Sequence, residues 1–439
     1  MDFDRLREKL QALPCEAWEL TDTAETRWEF YYIGHKLDQN RSAVIHEATV
    51  KVYKKIEGED GEAFLGSASG VIAPTASDEE ADAALARLLY QAGLVRNPYY
   101  TLTDAPIPEE LRNRSGAVDV AAIARDYIEA LAAIPETASR SLNSYEIFVS
   151  EMTRHFLNSK GVEYTCTYPS SMVEVVVNAR DEAHEIELYR MYHSGTCDRA
   201  ALAKDISRVM SYGEDRLRAE PMPKLRGGDV VFSTQDALEI YRYFEDHMYA
   251  DFIVRKMSDW EIGKPVAPEM IGDRVTLEAV SSLPNSSMNF PVDREGNVIR
   301  DRYLIRDGVA EQYCGSRQFS QYLGLAESSL LTNVRVAGGR FTEEAIRTGT
   351  TGETDPDYLE VVEFSDFQVD SISGDIAGEV RLGYLHRGGK VTVVTGGSVS
   401  GSMVDAVRDM VFSKETVQYD NYEIPSVTML RDLRITGVE

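Results

Sequence analysis

Cysteine, histidine and basic charge are all scarce in this chain, and each shortage removes a class of function. Four cysteines among 439 residues, at Cys15, Cys166, Cys197 and Cys314 with no CxxC pairing, argue against a disulfide framework or a structural zinc cluster and read as unpaired thiols. Lysine and arginine number 46 against 73 acidic residues, a formal net charge of -27. Such a surface repels a phosphate backbone, so nucleic acid is not expected as a partner. The charge reads as a means of solubility rather than as a dedicated surface for basic peptides. No run of about 18 apolar residues occurs, which leaves no expected membrane span. The opening Met-Asp-Phe-Asp-Arg-Leu-Arg-Glu has no apolar h-region, so the expected compartment is the cytoplasm.

What is present is ordinary globular composition, 43% hydrophobic and 27% charged, at a length that allows two or three domains. Asp2 to Leu13 reads as a helix, and Trp28, Phe30 and Tyr32 alternate at strand period. Ala48, Val50 and Val52, a Gly58-Glu-Asp-Gly61 turn and Phe64 to Ile72 read as a hairpin. Ser77 and Glu80 form a capping box for a helix that Gly93 stops. A proline-bearing passage from Thr103 to Gly116 reads as a linker. Helices are expected around Ile123 to Ile134, around Phe148, Met152, His155 and Phe156, and over Asp198 to Ala219, with a strand at Val173 to Val177. Pro221, Pro223 and Gly227-Gly228 place the main boundary. Beyond it come a short strand at Val230 to Phe232, one helix over Ala237 to about Lys256, and then strands and turns, including a hairpin at Arg387-Gly388-Gly389.

The expected fold class is therefore α+β. An N-terminal α/β region of helices and antiparallel strands spans 1–224, with a sub-boundary near 103–116. A mainly antiparallel β domain with one long helix spans 225–439.

Chemical motifs are tested in turn. A zinc peptidase needs two imidazoles on one ion and a carboxylate beside it. His46-Glu47 and His184-Glu185 each lack a second histidine four or five residues on, and His155 reads as a packed residue at the edge of a helix. The stretches Gly66-Ser-Ala-Ser-Gly70 and Gly397-Ser-Val-Ser-Gly401 put Ala68 and Val399 where a nucleophile elbow needs serine. Gly396 and Gly401 have phosphate-loop spacing, but Ser402 and Met403 stand where Lys and Ser/Thr are required. These glycines read as turn residues.

Several passages in shared order resemble the TldD/PmbA family, historically called modulators of DNA gyrase. They are Asn158-Ser-Lys-Gly-Val162, Asp293-Arg-Glu-Gly-Asn297 with Tyr303-Leu-Ile-Arg-Asp-Gly308, Thr332-Asn-Val-Arg-Val-Ala-Gly338, and Gly374 to Tyr384 running into Gly396-Gly-Ser-Val-Ser-Gly401. The resemblance implies a family of zinc-dependent peptidases and non-catalytic partner subunits. Its peptidase branch carries HExxxH on the helix after the short strand and a cysteine near the C-terminus. Two histidines five residues apart lie about 140° apart on an ideal helix, so that motif needs a widened or broken turn. Aligned on Ala250-Asp-Phe252, the motif falls on Tyr241 to Asp246, with Tyr241, Arg242 and Asp246 at the functional positions and Val417 at the distant one; the cysteine closest in sequence is Cys314. No catalytic or metal-ligating residue is expected on this chain.

The resemblance thus implies a PmbA/TldE-like subunit without its own zinc, paired with a zinc-bearing TldD-like subunit or with itself, in a complex acting on peptides or unfolded segments. The alternative is an autonomous, non-enzymatic peptide-binding or structural homodimer. Arg242 and Asp246 are expected to form an i,i+4 ion pair. Leu238, Tyr241, Phe244 or Glu245, and Met248 outline a buried stripe. Glu245, Asp246 and His247, as helix neighbours, are expected to point apart rather than chelate.

Overall fold

The computed structural model describes residues 1–326, 329–352 and 356–438. Three sheets carry the architecture. In the first, four long strands, Lys36–Glu57, Ala17–Ile33, Arg140–Asn158 and Glu163–Arg180, run side by side and antiparallel. Ala63–Ile72 continues one edge, as the hairpin reading expects, and Glu185–Ser194 flanks the other. The helix Asp78–Ala92 begins with the expected capping box at Ser77 and Glu80 and seals one end of this sheet through Leu85 and Leu88, packed with Leu6, Leu10 and Val50.

The second sheet follows the order Tyr358–Val369, Gly228–Phe232, Thr428–Thr436, Ser398–Ser402, Asp375–Arg387, Lys390–Thr395, and pairing of Tyr358–Val369 with Asp375–Arg387 closes the path on itself. The last hairpin turns at Gly388 and Gly389, both at positive φ, where glycine costs nothing sterically. The third sheet runs Val309–Ala310, Arg302–Arg306, Leu277–Val280, Asn333–Val336, Tyr422–Pro425, Thr416–Tyr419. The chain is thus α+β with mainly antiparallel sheets. Packing also joins the early and late segments: Val362 and Leu382 of the second sheet share a core with Tyr127, Leu131 and Ile206.

Two expected elements take a different form. Phe148 to Phe156 is strand, inside Arg140–Asn158. The spacing of Phe148, Met152 and Phe156 imitates a helix face, but this strand is central, with a neighbour on each side over most of its length. A spacing of four keeps Phe148, Met152 and Phe156 on one face of a strand as well as of a helix, and Tyr145, Ile147 and Val149 are buried on the opposite face. His155 accordingly sits on a strand, stacked on Phe3 with ring centroids 4.0 Å apart and bonded to Glu163. The single helix over 237–256 is interrupted: a 3-10 turn Gln235–Ala237 leads into Leu238–His247, and a separate helix covers Ala250–Val254. The break has a partner. Cys314 N–H donates to the Met248 carbonyl and Ala250 N–H donates to the Cys314 carbonyl, so a passing strand replaces the intrahelical bonds around Tyr249.

Candidate functional site

The helix Leu238–His247 buries Leu238, Tyr241, Phe244 and Met248 in the largest core of the C-terminal half, the stripe its spacing predicts. Tyr241 is 1% exposed. Its hydroxyl shares a hydrogen bond of 2.7 Å with Thr428 Oγ1, and burial pushes its pKa far above the ordinary phenol value. Arg242 pairs with Glu239 at 2.5 Å and lies over the Tyr422 ring, 5.4 Å from its centroid. The expected Arg242–Asp246 pair is not formed. Asp246 instead accepts from the Ser371 hydroxyl; burial raises its carboxyl, and that bond counters the rise. Val417 lies on the strand Thr416–Tyr419 and packs against the same core.

Three successive polar side chains leave this helix in three directions. Glu245 is 6% exposed. Its carboxylate accepts from Tyr249 Oη at 3.1 Å and from Tyr422 Oη at 2.8 Å, and burial pushes its pKa up to about 7. Asp246 faces Ser371. His247 lies between the rings of Tyr243 and Trp260, with centroids 4.5 and 4.6 Å away, and bonds Ser258 Oγ through Nδ1. Its Nε2 meets no aligned hydrogen-bond partner, although the Ser371 backbone is close enough to offset part of the drop in pKa that burial causes.

A zinc ion, which the family resemblance raises, needs three or four convergent N, S or O donors. The positions in question offer a phenol engaged by Thr428, a guanidinium, a carboxylate engaged by Ser371, and a valine. This donor set does not fit zinc. Among the described residues, no three of His, Cys, Asp and Glu gather where they could hold a metal ion.

Beside the helix, the hairpin Thr416–Pro425 turns through Asp420 and Asn421, with Asp420 at φ 48°. Its first strand, Thr416–Tyr419, is the last of the third sheet and, among the described residues, is paired on one side only. It faces Glu185–Ser194, whose one strand partner among the described residues is Glu163–Arg180. Between the two edges lies a cleft of about 380 Å³, lined by Tyr192, Ser194, Asp205, Arg208, Val417 and Tyr419 among others. Tyr192 donates to Asp205 Oδ2 at 2.8 Å, and Arg208 pairs with the same carboxylate. Of the four aligned positions, Val417 lines this cleft, whereas Tyr241, Arg242 and Asp246 do not. Sequence reasoning missed the Glu245–Tyr249–Tyr422 cluster and the cleft. The available signal was the Tyr419-Asp-Asn-Tyr422 stretch, since Asp and Asn tolerate the left-handed turn of a tight hairpin.

Residues 226–437 match the family described as the PmbA/TldA metallopeptidase C-terminal domain. Three solved structures share the fold across 99% of the chain. One is a candidate modulator of a DNA gyrase from Thermotoga maritima, 14% identical, matched over 100% of its length with a TM-score of 0.74. Another is TldE from Thermococcus kodakarensis, 14% identical, matched over 99% of its length with a TM-score of 0.72. The third is a candidate modulator of DNA gyrase from Bacteroides thetaiotaomicron, 15% identical, matched over 98% of its length with a TM-score of 0.74. No curated protein matches the chain. No described helix is long and apolar enough to cross a membrane.

Proposed function

Because the chain belongs to the TldD/PmbA family, we propose that it is a PmbA/TldE-like subunit without a zinc site of its own, which pairs with a zinc-bearing TldD-like subunit in a cytoplasmic complex that cleaves peptides or unfolded segments. The observation that carries this reading is the fate of Tyr241. The side chain at the first aligned metal position is buried in a closed core, its one polar atom engaged by Thr428. Asp246, at the other imidazole position, is likewise spent on Ser371. A helix that once presented ligands would here serve as packing.

The role left to such a subunit is binding. An extended peptide pairs with a sheet edge through its backbone, a mode that tolerates many sequences. The strand Thr416–Tyr419 offers an edge of this kind, with Glu185–Ser194 across the cleft. Tyr192 and Tyr419 flank that space and supply broad contact at little entropic cost.

The test is metal analysis and reconstitution. The purified chain should carry no stoichiometric zinc and should leave casein intact, whereas mixing it with a TldD-like partner should give chelator-sensitive cleavage. About one zinc per chain, or cleavage by the chain alone, would overturn the proposal.

A further inference from the structure

The outer edge of the first sheet has a gap. Strand Glu163–Arg180 is paired on that side by Asn113–Arg114 at Thr165 and Cys166, and by Glu185–Ser194 from Ser171 onward. The residues between, 167–170, have no strand partner there among the described residues. The loop 285–291 roofs this gap and leaves a cleft of about 570 Å³. Although acidic residues outnumber basic ones by 73 to 46 along the chain, the lining of this cleft contains no carboxylate and one arginine, Arg114.

A second arginine stands on the same face. Arg154 and Arg114 each lie opposite Cys166, one on either neighbouring strand, and directly opposed residues share a face of the sheet. With strands about 4.8 Å apart, the two backbones flank Cys166 at a separation of about 10 Å, a span that two long guanidinium side chains can close. Phe290 fixes the Arg154 end. The guanidinium lies 5.2 Å from the Phe290 centroid, and Tyr168 packs edge-on against that ring at 4.5 Å. Burial raises the Cys166 thiol, and Arg154 and then Arg114 pull it back, as two cations beside it should. Neither arginine pairs with a carboxylate among the described residues. Arg154 is partly buried, and such a cation ordinarily has a counterion. At the far wall, Thr196 Oγ1 donates to Asn285 Oδ1 at 2.6 Å, which turns the amide nitrogen of Asn285 over to other acceptors.

We propose that this cleft binds the carboxylate of an organic acid or short peptide, held between Arg154 and Arg114 above Cys166. Tyr168, Phe290 and Pro291 cover the ligand's carbon portion. A monoanion with an apolar body suits the site better than phosphate, because a dianion meets the full repulsion of a chain at -27 and has no use for an aromatic wall. The inference does not depend on any partner subunit.

Calorimetric titration of the full chain tests it, with acetyl-Phe-Ala as free acid, the same compound as its C-terminal amide, and inorganic phosphate. The free acid should bind and the amide should not. Arg154→Gln and Arg114→Gln should each weaken binding at least about 10-fold, the loss expected for a hydrogen bond to a charged group, and Arg154→Lys should recover part of it. Arg114 is exposed, so its variant carries the test if Arg154→Gln fails to fold. Absence of binding by the free acid, equal affinity for the amide, tighter binding of phosphate, or unchanged affinity in folded Arg114→Gln would each overturn the proposal.

Discussion

The Tyr422 hydroxyl donates to Glu245 Oε2 at 2.8 Å, so the hairpin that borders the cleft is tied to the broken helix through a carboxylate buried in the core. Tyr249, at the break itself, donates to the other oxygen of the same carboxylate. Two phenols donate to the group and Arg242 adds a weaker attraction from nearby, which leaves its burial only partly offset.

That arrangement makes stability depend on pH in a particular direction. Burial holds the Glu245 carboxyl at about 7 in the folded chain, against an ordinary value of 4.5. The folded chain therefore binds more protons than the unfolded chain between those values, and stability falls as pH rises through the window, by on the order of 3 kcal/mol from this group. Glu295, pushed up to about 7 for the same reason, adds a parallel contribution. Thermal melting at about pH 5 and about pH 8 should show the drop, and Glu245→Gln should make it smaller. An equal drop in the variant would mean that Glu245 is not the group titrating.

Tyr241 and Thr428 form a buried pair whose members can be removed singly or together. Tyr241→Phe strands the Thr428 hydroxyl, which is fully buried, and should cost about 1–3 kcal/mol in denaturant unfolding. Adding Thr428→Val should cost less than the sum of the two single changes, because no unpaired donor remains.

Arg242 is the aligned position whose change should matter least to folding. Its pair with Glu239 is at the surface, with side chains 45% and 31% exposed, and such pairs contribute about 1 kcal/mol or less. Arg242→Ala should therefore leave the denaturation midpoint nearly unchanged. Loss of cleavage by the reconstituted complex without loss of stability would place Arg242 at a working surface.

The sequence carried the fold where local chemistry and tertiary environment agree. The capping box at Ser77 and Glu80, the glycine turn at 388–389 and the strand around Trp28 are all set by short-range preferences. Arg140–Asn158 was illegible because the spacing of four between Phe148, Met152 and Phe156 fits one face of a helix and one face of a strand alike. The helix break at Tyr249 depends on Cys314, distant in sequence and brought alongside only by folding. The candidate site was legible as substitutions at Tyr241, Arg242, Asp246 and Val417. Its bonds were not, since Glu239, Ser371 and Thr428 each won a partner that helix geometry alone would have assigned elsewhere or left free.

The first glycine of the Gly397-Ser-Val-Ser-Gly401 stretch leads to a last prediction. Gly397 sits at φ 81°, and a Cβ there would lie 2.1 Å from the Thr436 carbonyl oxygen, a backbone atom of the neighbouring strand that cannot move aside. Gly389 sits at φ 76° with nothing within 4 Å of an added Cβ. Both substitutions to alanine carry the left-handed backbone penalty of about 1–2 kcal/mol, but only Gly397→Ala adds overpacking, typically a further 1–3 kcal/mol or so. Gly397→Ala should therefore lower the melting temperature clearly more than Gly389→Ala. Equal shifts would mean that the strand Thr428–Thr436 can give way, and that the glycine serves the turn alone rather than the close approach of the two strands.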